Sequence, residues 1–184
     1  MIGAQVHQFK VPEYTRMAET GILVPDARIE LVEGRIWKKS PIGPFHSGVL
    51  NQLTREFSNL AGGRWLVSCQ SPVFLSETSL PEPDLMLLRP SADNYKSAHP
   101  KSEDVFLVIE VSDSSLLFDR ETKLPLYARA GIEEAWILNV PQKQLEVYRK
   151  PNALGYESKT VLTEGEVAPA QFPDAVVDVR ELVN

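Results

Sequence analysis

The segment "DVFLVIEVSDSSLLFDRETKLPLYARAG", from Asp104 to Gly131, carries a glutamate inside an otherwise apolar run. Five apolar residues precede Glu110, and a short run of this kind predicts a buried strand. A buried carboxylate without a partner is costly, so Glu110 should be paired or functional. The second half predicts a helix. Because Pro125 is tolerated only near the first turn, this helix should begin near Lys123.

A second carboxylate precedes a similar apolar run in "PEPDLMLLRP", where Asp84 follows two prolines. If the two strands pair, opposed side chains have Cβ atoms about 5 Å apart, which suits two ligands of one Mg²⁺ or Mn²⁺ ion. Without a metal ion the two charges repel, and the pKa of at least one carboxyl should lie above its ordinary value. Alternatively, Asp84 is only a turn or edge residue.

The rest of the chain predicts an α/β protein in which the sheet dominates. A short helix in "VPEYTRMAETG" ends at Gly21, and "RIELVEGRIW" forms a hairpin that turns at Glu33 and Gly34. The helix in "FHSGVLNQLTREFSNLAGG" carries one apolar stripe. Strands are predicted in "RWLVSC", "PVFL", "DLMLL", "DVFLVIEV", "EAWILNV", "QLEVYR" and "ESKTVL". The 184 residues contain no repeat and no long linker, so we expect a single domain over residues 1–184.

Composition restricts the function. The single cysteine, Cys69, excludes an intrachain disulfide, and the N-terminus does not resemble a secretion signal. No apolar run has the length of a membrane span, so we expect a cytoplasmic protein without membrane contact. The formal net charge of −6 argues against a protein that coats nucleic acid through bulk positive charge. Any contact with DNA must therefore be local.

Two further features have both an ordinary and a functional explanation. His46 lies at a helix start, where a structural role or a substrate contact is favoured over direct catalysis. Trp37 lies among Arg35, Lys38 and Lys39. These residues form either a solvated hairpin edge or a short surface for a phosphate backbone.

The order and spacing of several motifs resemble the Uma2 family of endonucleases, a branch of the PD-(D/E)XK nuclease superfamily. The motifs are "EPDLMLL", "FLVIEVSDSS" and "DRETKLPLYARAGIEEAWILNV", together with "IELVEGRI", the His46 helix, "SCQSPVFL" and "EGEVAPAQFPDAVVDVRELV". The resemblance covers nearly the whole chain. It implies a restriction endonuclease-like α/β fold, with a central mixed β-sheet flanked by helices and additional N- and C-terminal strands.

The resemblance also implies a catalytic site. The superfamily usually carries a lysine two residues after the glutamate, but Ser112 occupies that position here. In the Uma2 pattern the lysine moves to the following helix, at Lys123, and we expect its removal to leave folding nearly intact. Asp84 and Glu110, with the carbonyl of Val111, would hold Mg²⁺ or Mn²⁺, and Lys123 would orient water or stabilise developing negative charge.

Three more family positions have open roles. Glu30 would ligate the metal ion or position water, although a hairpin glutamate is more often solvated. Gln70 and Asp119 would support the metal ligands through hydrogen bonds. They are equally well explained as a polar residue at a strand end and a helix N-cap.

Three functional classes follow for the chain. The first is a Mg²⁺-dependent endonuclease that cleaves nucleic acid, with DNA as the expected substrate. The second is a nuclease-fold protein that binds nucleic acid without cutting it, and the third is a protein-interaction module. We also expect a homodimer, because "QLEVYR" and "FPDAVVDVRELV" offer apolar surface beyond one small core.

Overall fold

The computed structural model describes residues 3, 5–24 and 28–183. The strands are β1 (Ile29–Val32), β2 (Arg35–Lys38), β3 (Leu66–Cys69), β4 (Leu85–Leu88), β5 (Val105–Ser112), β6 (Glu134–Asn139), β7 (Gln144–Asn152), β8 (Gly155–Leu162), β9 (Glu166–Val167) and β10 (Val177–Asp178). The helices are α1 (Val11–Glu19), α2 (Pro44–Ala61), α3 (Leu116–Phe118), α4 (Leu124–Arg129) and α5 (Val179–Val183). A π-helical turn, Asp119–Lys123, joins α3 to α4, and short 3-10 turns cover Ser102–Asp104 and Val140–Gln142.

A mixed sheet of six strands, in the order β3-β4-β5-β6-β7-β8, forms the centre of the protein. Strands β5 and β6 run parallel, and every other neighbouring pair in this sheet is antiparallel. Helix α2 packs on one face, where Phe57 joins Ile109 and Trp136 in one apolar cluster. Helix α4 packs on the other face, where Tyr127 and Val108 belong to a second cluster. The predicted α/β fold with a flanked mixed sheet is confirmed.

The additional terminal strands form two small antiparallel pairs, β1 with β2 and β9 with β10. The β1–β2 hairpin turns at Glu33 and Gly34, as predicted, and both residues have positive φ. Positive φ favours glycine at position 34, and so does the lack of space, because a Cβ atom there would lie 2.5 Å from the Cβ of Gln8. The hairpin position is thereby fixed against the N-terminal segment.

One predicted strand is wrong, and the last predicted helix has an extension that the sequence did not indicate. The segment "PVFL" is not a regular strand, because Val73 donates to the carbonyl of Pro81 while Phe74 donates to Pro100, so no single partner strand accompanies it. The helix predicted to begin near Lys123 is confirmed, because α4 begins at Leu124 with Pro125 in its first turn. The π-helical turn and α3 precede it without a break, so the helical stretch as a whole starts at Leu116. The π-helical turn, in which Leu124 donates to the Asp119 carbonyl, lets a continuous helical stretch pass into Pro125 without a regular α-helical turn before it.

The apolar residues that suggested a dimer surface lie mainly inside the chain. Leu145 and Val147 of β7 are buried, and so are Val177, Val179 and Leu182 near the C-terminus. These side chains belong to the cluster under α2. They therefore supply no surface for a second copy, and their apolar character no longer supports a homodimer.

Glu146 on β7 anchors the π-helical turn to the sheet. Its buried carboxylate accepts hydrogen bonds from Arg120 of the π-helical turn, from the Tyr148 hydroxyl and from Asn139, and Lys159 Nζ lies 3.0 Å away. Burial alone would raise the pKa of Glu146. The hydrogen bonds together outweigh burial and lower the pKa to about 2, and the hydrogen bond from Arg120 contributes most to this lowering.

The Glu146 carboxylate should make folding stability depend on pH. A carboxyl whose pKa falls on folding stabilises the protein above its unfolded pKa of about 4.5, and this stabilisation is lost as the pH falls towards the folded value of about 2. We expect Glu146→Gln to reduce the free energy of unfolding at neutral pH by about 2 kcal/mol, after allowance for solvent around its partners. The deficit should shrink below pH ~4.5.

Urea unfolding across this pH range measures the effect. Glu121→Gln is the matched control, because Glu121 is an exposed carboxylate on the same π-helical turn. It should change stability little. A deficit for Glu146→Gln that stays constant from neutral to acid pH would contradict the assigned role.

Candidate active site

A cleft of about 280 Å³ opens where the β1–β2 hairpin, the start of α2, the end of β5 and the π-helical turn meet. Its floor contains four of the predicted site side chains, which are only 2–5% exposed. These are Glu30, Asp84, Glu110 and Lys123. The hairpin, the central sheet and the π-helical turn bring them together, although Glu30 and Lys123 are 93 residues apart in the sequence.

Asp84 and Glu110 are neighbours across β4 and β5. Leu85 pairs with Ile109 in these antiparallel strands. Asp84, which precedes Leu85, therefore lies opposite Glu110, which follows Ile109. The main-chain N–H of Val111 donates to Asp84 Oδ2 at 2.9 Å, and that of Asp84 approaches Glu110 Oε2 at 3.4 Å. The main chain beside Glu110 therefore orients the Asp84 carboxylate, and the main chain of Asp84 orients the Glu110 carboxylate.

Lys123 reaches the same place from the π-helical turn. Its ammonium Nζ lies 2.6 Å from Glu110 Oε1 and 3.5 Å from Glu30 Oε2. Glu30 is not a solvated hairpin residue, because it is buried and its Oε2 accepts the N–H of Glu82 at 3.0 Å. The lysine therefore links the hairpin to the central sheet.

Burial dominates the electrostatics of this group. Burial raises the pKa of Glu110 to about 8; the Lys123 ammonium opposes this shift, and the carboxylates of Asp119 and Asp84 add to it. The direction is the one expected for one carboxyl of the pair, but its main cause is burial, and repulsion from Asp84 contributes less. Burial would lower the pKa of Lys123, but Glu110 and Glu30 outweigh burial and hold the pKa well above its usual value.

His46 contacts Asp84 on the α2 side of the cleft, with Nε2 3.2 Å from Oδ1. The hydrogen bond to Asp84 raises the pKa of His46. Burial alone would raise the pKa of Asp84, but the contact with His46 and the charge of Lys123 lower it below its usual value. His46 thus orients one floor carboxylate.

Asp119 and Gln70 differ in where the structure places them. Asp119 lines the cleft, and its Oδ2 accepts the hydroxyls of Ser112 and Ser115 at 2.7 and 2.6 Å. Gln70 lies outside the cleft lining, although its main-chain N–H donates to the Asp84 carbonyl at 3.0 Å. Its Nε2 has no hydrogen-bond partner among the described residues. The supporting roles of both stay predictions.

Tyr127 is a site residue that sequence reasoning missed. Its hydroxyl donates to Glu110 Oε1 at 2.5 Å from beneath the cleft. Spacing could have identified it, because residues four apart share one face of a helix and Asp119, Lys123 and Tyr127 follow this interval. All three side chains are buried against the sheet.

The rim of the cleft is basic and aromatic. Arg28, Lys38 and Lys39 line it together with Trp37 and Phe118. The Trp37 and Phe118 ring centroids are 4.7 Å apart. Lys39 Nζ donates to the carbonyl of Glu82 at 2.6 Å. Arg35 of the same hairpin lies outside the cleft lining.

The floor carboxylates suit a hard divalent cation. Among the described residues, no three His, Cys, Asp or Glu side chains converge as a complete metal cage. Mg²⁺, however, usually retains several waters and binds through one or two carboxylates, and a pair of aspartate and glutamate oxygens is the donor type that it prefers. Asp84 and Glu110 fit such an ion, with the main chain of Val111 beside them in the cleft lining.

The fold is a mixed sheet flanked by helices, and the cleft that holds Asp84, Glu110 and Lys123 lies at one end of it. The sequence matches the model of the Uma2 family, described as "Putative restriction endonuclease", over residues 11–180, so the chain belongs to this family.

A solved structure from Anabaena variabilis, described as a putative nuclease belonging to DUF820, has the same fold. Its TM-score is 0.73 at 15% sequence identity, over 95% of this chain and 97% of that chain. The comparison with curated proteins gives no match. In the described part of the chain, no helix is long and apolar enough to cross a membrane.

The burial of Lys123 changes the expected result of its removal. Lys123→Met leaves Glu110 and Glu30 buried without their cation, so we expect it to lower the free energy of unfolding by about 3–5 kcal/mol. This destabilisation replaces the earlier expectation that removal of Lys123 leaves folding nearly intact. Adding Glu110→Gln should recover part of the loss, with a coupling of about 1–3 kcal/mol between the two sites.

Urea unfolding of the two single variants and the double variant measures the coupling. Lys38→Met is the matched control, because Lys38 is an exposed lysine at the cleft rim, and it should change stability by no more than about 0.5 kcal/mol. Additive effects of Lys123→Met and Glu110→Gln would show that their contact does not stabilise the fold.

Proposed function

We propose that this chain is a Mg²⁺- or Mn²⁺-dependent endonuclease that hydrolyses phosphodiester bonds of nucleic acid, with DNA as the expected substrate. The observation that carries the proposal is the convergence of Asp84, Glu110 and Lys123 on the floor of one cleft, with the ammonium 2.6 Å from Glu110. Membership of the Uma2 family supports a nuclease, and the metal requirement rests on the carboxylate pair.

The side chains of Asp84 and Glu110, with the carbonyl of Val111, would hold the cation. When bound, it supplies positive charge that neutralises a phosphate and acidifies a water molecule. Asp84 is kept in position by His46 and by the Val111 N–H, and Glu110 by the Tyr127 hydroxyl. These contacts hold the two carboxylates towards the cleft before a substrate enters, which reduces the reorganisation needed for reaction.

Lys123 supplies the fixed positive charge of the protein itself. Its ammonium, held between Glu110 and Glu30, lines the cleft where a phosphate would lie. In this role it stabilises negative charge that develops on the phosphate oxygens during cleavage. Glu30 holds the lysine and is also available to position a water molecule.

The proposal extends to the domain organisation, the cellular compartment, the oligomeric state and the first contact with the substrate. The chain would act as a single domain over residues 1–184 in the cytoplasm, and the homodimer stays a prediction that light scattering of the purified protein tests. The formal net charge of −6 makes the basic rim of Arg28, Lys38 and Lys39 the place where a phosphate backbone would first bind.

The function predicts a specific loss of cleavage. With Mg²⁺ or Mn²⁺, the wild-type protein should cleave plasmid DNA, single-stranded DNA or RNA, and Asp84→Asn or Glu110→Gln should lower the rate at least about a hundredfold, because each removes a ligand charge. Both variants should also lose the rise in melting temperature that Mn²⁺ produces. Asp174→Asn should retain both properties, because Asp174 binds Arg64 outside the cleft lining.

The same measurements distinguish the other two classes. A protein that binds nucleic acid but cleaves none of the three substrates would be a nuclease-fold binding protein. A protein that shows neither nucleic-acid binding nor a Mn²⁺-dependent shift would fit a protein-interaction module. Cleavage that is equal in wild type, Asp84→Asn and Glu110→Gln would place the active site elsewhere.

A further inference from the structure

The rim of the cleft carries an aromatic face for which the cleavage chemistry has no use. Trp37 is 36% exposed, whereas Trp65 and Trp136 are 4% and 0% exposed. Its indole contacts the ring of Phe118, with the two ring planes inclined at 46°. A large aromatic side chain that stays accessible at a cleft mouth is a typical surface for ligand contact.

The position of Trp37 is tied to the catalytic floor through the hairpin register. Trp37 pairs directly with Glu30 across β1 and β2, so the two side chains lie on the same face of the hairpin, with Cβ atoms about 5 Å apart. Glu30 in turn approaches the ammonium of Lys123. Phe118 immediately precedes Asp119 at the start of the π-helical turn that carries Lys123. Both rings therefore belong to elements that build the floor.

The charges around the two rings complement a nucleic-acid strand. Lys38 follows Trp37 in the chain, and Arg28 and Lys39 line the same cleft. Aromatic rings with adjacent cations are the combination by which proteins bind unpaired nucleotides, because bases stack on the rings while the cations contact phosphates. A base inside a continuous duplex has both faces covered by its neighbours, so it offers no face to Trp37.

Access to the floor favours the same substrate. The floor groups are at most 5% exposed, so a scissile phosphate has to enter the cleft rather than rest on the surface. A flexible single strand can place one phosphate in the cleft and the adjoining base against the rim. A continuous helix would have to deform to do so.

We propose that Trp37 and Phe118 form a stacking site for an unpaired base next to the scissile phosphate, and that the protein binds single-stranded nucleic acid in preference to continuous duplex. This inference rests on the proposed nuclease function and specifies its substrate class. The stacking chemistry is shared by DNA and RNA, since every base has a flat aromatic face.

Binding assays test the site separately from cleavage. Fluorescein-labelled oligonucleotides of one sequence, as single-stranded DNA, single-stranded RNA and blunt duplex DNA, are titrated with protein in Ca²⁺ and followed by anisotropy. Each oligonucleotide is checked by gel to be intact. We expect at least tenfold tighter binding of one or both single strands than of duplex, and quenching of tryptophan emission when unlabelled single strand is added.

Substitutions at the rim assign the effect. Trp37→Ala should weaken single-strand binding about five- to a hundredfold, in line with the measured range for base stacking, and should leave duplex binding nearly unchanged. Trp37→Phe should retain most of the affinity while removing the quenching. Lys38→Ala should weaken binding and reduce its salt dependence. Lys96→Ala, which removes an exposed lysine outside the cleft lining, should change neither.

The results separate this inference from the proposed function. Trp37-dependent preference for single strands in a protein without metal-dependent cleavage would support the stacking site and contradict the nuclease. Asp84-dependent cleavage by a protein that binds duplex as tightly as single strands, or in which Trp37→Ala binds single strands like wild type, would overturn the stacking site alone. Melting temperatures of the Trp37 variants show whether a loss of binding reflects unfolding, and Trp37→Phe keeps the test valid if Trp37→Ala is unstable.

Discussion

The contact between the Lys123 ammonium and the carboxyl of Glu110 is the interaction on which the rest of this structure depends. A glutamate at the end of a buried central strand is acceptable only with a partner, and the lysine is that partner at 2.6 Å. To reach it, the chain after β5 must return over the sheet as a helix. The same lysine approaches Glu30 at 3.5 Å, so its charge also contacts the β1–β2 hairpin. One cation therefore relates three elements that are far apart in the sequence.

The π-helical turn places Lys123 where its ammonium can reach Glu110. Asp119 and Lys123 both lie within it, and Tyr127 follows one turn later, so three polar side chains face the sheet in succession. They meet the polar end of β5, where Glu110 and Ser112 point to the same face because their positions differ by two. Further along, the same faces of helix and strand become apolar around Val108. A change from polar to apolar contacts thus places the site at one end of the helix–sheet interface.

The charge distribution is compatible with the anionic ligand that we propose for this acidic protein. The cleft floor is dominated by carboxylates that a divalent cation would neutralise, and the lysine and arginine side chains of the lining other than Lys123 are gathered at the rim. In the proposed function, phosphate binding would depend on a few local contacts and on the metal ion, not on a large positive field. The aromatic rings at the rim would add attraction that is independent of charge, and this attraction would matter more in a protein of formal net charge −6.

The spacing shared with the Uma2 family implied the mixed α/β architecture. The sequence by itself determined most element types and pointed to the two carboxylates, Asp84 and Glu110. These features depend on local patterns: apolar runs set the strands, the turn at Glu33 and Gly34 set the hairpin, and an acidic residue beside an apolar run is conspicuous. Lys123 was also identifiable, through the spacing shared with the Uma2 family. The position of Pro125 located the start of α4, but it could not reveal the π-helical turn and α3 that precede this helix, because proline chemistry specifies only where a regular α-helix can begin. Only the tertiary structure decided that Glu30 is buried beside the lysine, that His46 contacts Asp84 and that Trp37 meets Phe118. The physical reason is that each of these contacts joins distant segments, so it depends on strand register and on helix–sheet packing that no local stretch of sequence specifies.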